Sequence, residues 1–265
     1  MTQHDASMHR KYFFFDIDGT LTDDATHLVV PSALRTLHAL KQQGHFVAIA
    51  TGRAHYKAVS FAESIGIENL VCAGGGCLVK DGQVIESNAL PHEQTVAMLQ
   101  KADRDGIGWL IMKDDSDGVW MRDFRFLETA GFRKELTTYH YDPTFDYHDT
   151  RTIFKFYLAY TKEMEKDLPW IDEMGRLRMT EDYCIYQYDE KKKGIMSMMD
   201  HLQAPYEDVV VFGDGMNDLV MFDPMWTSIA MGNGEEKLKQ KADYVTAANT
   251  DDGIEKACRR FGWIR

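Results

Sequence analysis

Asp16 and Asp18 stand one residue apart, directly after the aromatic run Tyr12-Phe13-Phe14-Phe15 and directly before Gly19-Thr20. Two like charges so close repel unless a cation or a shared proton offsets them. The pair suits a carboxylate nucleophile beside a second carboxyl group that handles protons, with a hard metal ion between. A plain polar turn at a strand end is the other reading, and the rest of the chain decides between the two. The aromatic run is too short for a helix, so it predicts a buried strand over 12–15. Asp16 and Asp18 then fall just past its carboxyl end, where ligands bind in open α/β sheets. Gly19 lets the backbone turn sharply there.

Other apolar runs end the same way. Pro31-Ser32 opens a predicted helix with Leu34, Leu37, His38 and Leu40 at helical spacing, and Gly44 fits its end. A strand over 45–50 follows and runs into Thr51-Gly52-Arg53. Strand, helix and strand of this length form a right-handed crossover with a parallel sheet, which puts Thr51 at the same edge as Asp16. Its hydroxyl can donate to a phosphoryl oxygen or cap a helix. Far along the chain, the apolar run 208–212 leads into Gly213-Asp214-Gly215-Met216-Asn217-Asp218, a further acidic loop at a strand end. Before it, Lys191-Lys192-Lys193-Gly194 opens a helix predicted over 195–202. One lysine at a helix N-terminus can meet an anion, while a triple lysine is also an ordinary solvated turn.

The elements between are read more coarsely. A helix is predicted over 54–65 and a strand over 69–73, followed by Gly74-Gly75-Gly76, which allows close backbone approach to a ligand or a flexible turn. Lys80-Asp81-Gly82 between apolar runs predicts a hairpin. The alternation then breaks. A helix over 91–105 precedes short segments at 108–112, 119–122, 152–160, 177–180 and 184–188, with a helix over 162–173 among them. This predicts an inserted α+β module with an antiparallel sheet, over about 86–186. Asp114-Asp115-Ser116-Asp117-Gly118 looks like part of a calcium loop, but Lys113 and Phe124 occupy the first and twelfth ligand positions, so a hairpin turn is expected. His140, Asp142, Asp146, His148 and Asp149 have no metal spacing and read as a solvated loop. Strands over 227–231 and 244–245 and a helix after Asp251-Asp252-Gly253 close the chain.

Composition narrows the function classes. A chain of 265 residues holds one large α/β domain or two smaller ones, and 44% hydrophobic residues suit a real core. With 42 acidic against 30 basic residues, the formal charge of −12 argues against nucleic acid as a partner. It leaves room for a small phosphorylated molecule held by a local lysine or metal. Cys72, Cys77, Cys184 and Cys258 form no Cys-x-x-Cys pair and read as thiols in a reducing cytosol. A polar stretch over 1–10 and the lack of a long apolar span predict neither export nor a membrane partner.

On these motifs the chain resembles the haloacid dehalogenase-superfamily phosphatases of the Cof type. Asp16-Ile17-Asp18-Gly19-Thr20 is similar to their first motif, Thr51-Gly52-Arg53 to the second, Lys193-Gly194 to the third and Gly213-Asp214-Gly215-Met216-Asn217-Asp218 to the fourth. The tail, from Met231-Gly232-Asn233 through Asp243-Tyr244-Val245-Thr246 to Asp252-Gly253, follows the group's pattern, so the resemblance covers nearly the whole chain. It implies an α/β fold with a Rossmann-like parallel-sheet core over 1–85 and 187–265, and an inserted α/β cap over 86–186 that closes over the pocket and selects the substrate. Within the cap, Arg122, Tyr183 and Tyr186 are candidates for that selection.

The implied activity is hydrolysis of phosphomonoesters of small metabolites, sugar phosphates or similar, by a cytoplasmic Mg²⁺ enzyme working through an aspartyl phosphate. A phosphomutase of the same fold and a non-catalytic sensor of a phosphometabolite are the alternatives. Asp16 is the implied nucleophile and Asp18 the acid and base. Thr51, Gly52, Lys193 and Asn217 are implied at the phosphate, and Asp16, Asp18, Asp214 and Asp218 at the metal. One departure stands out: the group usually has Asn-Gly-Ala where this chain has Gly74-Gly75-Gly76.

Overall fold

Phe13, Phe14 and Phe15 are all wholly buried, which requires a strand covered on both faces. The structure, a computed structural model, describes residues 9–265, so most of the polar stretch at 1–10 lies outside the described residues. These residues form two compact units, 9–86 with 189–265 and, between them in sequence, 87–188.

The first unit starts with β1 (Tyr12–Phe15), α1 (Pro31–Gln42), β2 (Phe46–Ala50), α2 (His55–Ser64), β3 (Leu70–Cys72), β4 (Cys77–Lys80) and β5 (Gln83–Ser87). The inserted unit holds α3 (His92–Arg104), β6 (Gly108–Met112), β7 (Gly118–Met121), α4 (Arg125–Ala130), β8 (Thr138–Tyr141), β9 (Lys155–Ala159), β10 (Arg176–Arg178) and β11 (Tyr183–Tyr186). The first unit resumes with α5 (Lys191–Leu202), β12 (Val209–Gly213), β13 (Thr227–Ala230), α6 (Glu236–Lys241), β14 (Tyr244–Val245) and α7 (Gly253–Arg260).

The first unit is built on an eight-stranded sheet in the order β14-β13-β12-β1-β2-β3-β4-β5. Pairing is parallel from β14 to β3 and turns antiparallel at β4. Side chains of a strand alternate between faces, so Phe13 and Phe15 pack with Leu37 and Leu40 of α1, Ala58 and Ala62 of α2, and Ile254 and Ala257 of α7. Phe14 meets the other layer, Ile195, Met198 and Met199 of α5 and Leu238 of α6. The register sets Phe15 beside both Ile49 and Phe212, so β1, β2 and β12 all end at one edge. The expected Asp81-Gly82 turn has positive φ at both residues, as a tight hairpin turn needs.

The inserted unit has its own six-stranded sheet, β10-β11-β9-β6-β7-β8, and its own core around Trp109, Phe156, Leu158 and Tyr186. Its pairing is antiparallel apart from β7 and β8, which run parallel. The helix expected over 162–173 shrinks to a single 3₁₀ turn, Met164–Asp167. Pro169 lacks the N–H a continuing helix needs, and Leu168, Trp170 and Ile171 turn inward together instead. No helix among the described residues is long and apolar enough to cross a membrane.

Candidate active site

Three carboxylates converge where β1 and β12 end. Oxygens of Asp16, Asp214 and Asp218 lie within 4.8 Å of one another, the one such group of three or more His, Cys, Asp or Glu among the described residues. Asp16 follows β1, and its N–H donates to Phe212 O at 3.0 Å, which ties it to β12. Asp218 is wholly buried. Its Oδ2 accepts the N–H groups of Asp214 at 3.0 Å and Gly215 at 3.1 Å, so the acidic loop folds back on its own last carboxylate.

The lysine at this cluster is Lys191, not Lys193. Lys191 Nζ donates to Asp16 Oδ1 at 2.7 Å and to Asp218 Oδ1 at 2.6 Å, and the side chain is 1% exposed. Lys193 is 73% exposed and pairs with Glu190 on the solvent side. The reason is helical phase. Helix α5 begins at Lys191, two residues before Lys193, and its buried face is Lys191, Gly194, Ile195, Met198 and Met199. Lys191 precedes Ile195 by four residues and Met198 by seven, the spacing of one helix face. That periodicity was available in the sequence, and it separates the three lysines.

Charge at the cluster is unbalanced, since three carboxylates face one ammonium. Burial, reinforced by Asp218 and opposed by Lys191, pushes the Asp16 carboxyl up to about 8. Burial likewise pushes Asp214 up to about 7, against the hydrogen bond it accepts from Thr20. Burial pulls the Lys191 ammonium down, but Asp16 and Asp218 prevail and hold it above the usual lysine range. A converging set of carboxylate oxygens is what a hard divalent cation needs, so the residues present fit such an ion.

The loop after β1 is held by side chains to which the motifs assigned no role. Thr20 Oγ1 donates to Asp214 Oδ1 at 2.7 Å. Asn233 Nδ2 donates to Gly19 O at 2.8 Å, and Asn249 N–H donates to Asn233 Oδ1 at 2.9 Å. Asn249 Nδ2 reaches Thr22 O at 2.7 Å. Asparagine amides at loop positions carry little sequence signal, because the same residue serves any turn. Gly19 has φ of +80°, and a Cβ there would lie 2.2 Å from Asp214 Oδ2. Gly19→Ala therefore combines backbone strain with a clash on a cluster carboxylate. We expect it to cost about 2–5 kcal/mol in urea unfolding and to weaken any stabilisation by divalent cations in the same titration.

Thr51 is buried at the end of β2, and its Oγ1 accepts the Arg53 N–H at 3.1 Å. Gly52 is partly exposed beside it, and Asn217 is exposed on the acidic loop, with its Oδ1 against Gly215. Asp18 stands outside the three-carboxylate group, and Arg53 grips its carboxylate. The glycine triplet approaches protein rather than open space. A Cβ on Gly75 would lie 2.5 Å from Glu190 O, and one on Gly194 would lie 2.8 Å from Gly75 Cα, so α5 starts directly against this loop. Glu190 N–H donates to Gly74 O at 2.8 Å, and Gly74 N–H donates to Thr51 O at 3.1 Å. The loops that carry Thr51 and Lys191 are thus joined through Gly74.

In the inserted unit, the three residues expected to select substrate are engaged internally. Arg122 pairs with Asp103 at 2.6 Å and lies over the Trp109 ring. Tyr186 is wholly buried, its hydroxyl 3.0 Å from that of Tyr160 and 2.9 Å from Ile171 O. Tyr183 is buried beside Phe126. His140 belongs to β8 and stacks on Trp120, so that part of the expected solvated loop is a strand.

A family model described as haloacid dehalogenase-like hydrolase matches residues 13–258. The Bacillus subtilis protein YkrA is 32% identical over 97% of this chain and all of its own length. The 5-amino-6-(5-phospho-D-ribitylamino)uracil phosphatase YcsE of the same organism is 24% identical, with 95% of each chain covered. Among solved structures, the sugar phosphatase BT4131 is similar with a TM-score of 0.74 and 28% identity, over 96% of this chain and 100% of that one.

Proposed function

The chain belongs to the haloacid dehalogenase-like hydrolases, and from that premise we propose that it hydrolyses phosphomonoesters of small metabolites, sugar phosphates or similar, through an aspartyl phosphate at Asp16. The observation that carries this reading is the buried Asp16 carboxylate at the strand end, paired with Lys191 and beside Asp214 and Asp218. It is a carboxylate presented at the mouth of a sheet, with a cation already aimed at it. The names of the similar phosphatases support the ester class.

In the first step an Asp16 oxygen attacks phosphorus, and the P–O bond to the leaving group breaks. Asp18 gives the leaving oxygen its proton. In the second step Asp18 takes a proton from water, the water oxygen attacks phosphorus, and the bond to Asp16 breaks to release inorganic phosphate. Lys191 and the Thr51 hydroxyl face the phosphoryl oxygens, whose charge must be offset in the transition state. Asp16, Asp214 and the Asp18 backbone carbonyl would hold Mg²⁺, with Asp218 supporting its waters. The ion would supply charge neutralisation between the carboxylates and the phosphoryl group. The complete acidic set with its buried lysine supports a hydrolase over a binding-only sensor. Residues 87–188 are the proposed source of leaving-group contacts. The four thiols fit a reducing cytoplasm as its place of work.

The test is release of inorganic phosphate from p-nitrophenyl phosphate, dependent on Mg²⁺ and abolished by a chelator. Release unaffected by chelation would reject the metal-assisted reading. A second expectation follows from the raised carboxyls. Without metal, the folded chain keeps protons on Asp16 and Asp214 that the unfolded chain has lost, so stability falls as pH rises from about 4 to about 8. Mg²⁺ binds the deprotonated carboxylates and opposes that fall. Melting scans with Mg²⁺ and with chelator should therefore diverge more near pH 8 than near pH 5. An equal gap at both would place the ion elsewhere.

A further inference from the structure

We propose that Arg53 is a positioning residue for Asp18, a two-pronged clamp that fixes the plane of the proton-carrying carboxyl and holds it apart from the three-carboxylate cluster. The proposal rests on the reading of Asp18 as acid and base. Arg53 Nη2 donates to Asp18 Oδ1 at 2.6 Å, and Nε donates to Oδ2 at 3.2 Å, so each oxygen has its own donor. An ion pair between two mobile surface chains contributes little, because ordering both offsets the attraction. Here the arginine is anchored along its length. Its N–H is on Thr51 Oγ1 at 3.1 Å, its carbonyl takes the Ala73 N–H at 2.7 Å, and its guanidinium lies 5.3 Å from the Phe61 ring centre. A preorganised fork loses little entropy per hydrogen bond and matches the carboxylate plane, which a lysine cannot do.

The partner needs this support. Asp18 is 59% exposed at its side chain and stands two residues from Asp16 of the three-carboxylate cluster. Unclamped, its carboxylate is free to rotate toward that cluster, where it would serve as one more ligand and lose its reach to the leaving oxygen. Arg53 crosses from the end of β2 to the end of β1, so the stretch that supplies the Thr51 hydroxyl also aims Asp18.

The test uses the full chain with Mg²⁺ and two probes of similar shape, p-nitrophenyl phosphate with a good leaving group and phenyl phosphate with a poor one. Asp18→Asn is measured first. If it slows both probes equally, the reading of Asp18 falls and this proposal with it. If it selectively slows phenyl phosphate, Arg53→Gln should lower kcat/KM for phenyl phosphate about tenfold to a hundredfold, part of what general acid help supplies. The same change should lower p-nitrophenyl phosphate turnover less than about threefold, and should add less than about twofold to Asp18→Asn for either probe. Arg53→Lys, which keeps the charge but loses the fork, should recover only part of the loss. It also serves as the second variant if Arg53→Gln fails to fold. An equal fall on both probes, or full additivity with Asp18→Asn, would show that Arg53 acts on the phosphoryl group directly and overturn the proposal.

Discussion

Asp16→Asn is expected to lower turnover about a thousandfold or more while the protein stays folded. Without a nucleophile the covalent route closes, and only attack by water on the bound ester remains, a loss of at least several kcal/mol of transition-state stabilisation. The fold should tolerate the change for an electrostatic reason. Asp16 is buried, and its carboxyl is already pushed up to about 8 by burial and by Asp218. A neutral amide of the same shape relieves that repulsion, and Lys191 keeps its bond to Asp218 at 2.6 Å. Steady-state kinetics with p-nitrophenyl phosphate, beside a melting curve, is the measurement. More than a tenth of the wild-type rate would sink the nucleophile assignment.

Lys191→Met is expected to damage both activity and stability, and Lys193→Ala neither. Lys191 is the cation among three carboxylates, so its removal leaves Asp16 and Asp218 buried without it. Breaking a buried pair by removing one partner costs about 3–5 kcal/mol. The loss of one aimed donor to the phosphoryl group adds a fall of about a hundredfold to a thousandfold in rate. Lys193 is exposed with Glu190 beside it, so its truncation should change kcat/KM less than about twofold. Parallel assays of the two variants decide the matter. A large loss in Lys193→Ala with an active Lys191→Met would reverse the assignment.

The contrast between these lysines shows where sequence reading works on this chain. Asp16, Thr51 and Asp214 were legible because each follows an apolar run too short to be anything but a buried strand, and parallel strands bring their ends to one edge. Position along the chain then determines position in space. Lys191 was obscured because three identical side chains share a helix start, and only the phase set by Ile195 and Met198 tells them apart. The contacts of Arg53 and of the Asn233–Asn249 link were hidden for a different reason, although Arg53 and Asn233 lie in the motifs. Their partners, Asp18 and Gly19, are far away in sequence, and no local pattern announces such a contact. In the inserted unit, β8 was missed because it is only four residues long and its residues are largely exposed.

The pairing of Tyr12 with Val209 has a consequence for how the protein is made. During synthesis β1 and Asp16 emerge well before β12, so one edge of the strand can pair with β2 while the other stays open. The inserted stretch must be translated before β12 arrives to cover that edge. Asp214, Asp218 and Lys191 are all encoded after the insertion, so a nascent or truncated chain carries Asp16 without its cation or its companion carboxylates. Long-range parallel pairing of this kind is slow to form and exposes apolar edges in the meantime. A chain that stops before β12 is therefore expected to leave that edge of β1 open and to aggregate rather than fold.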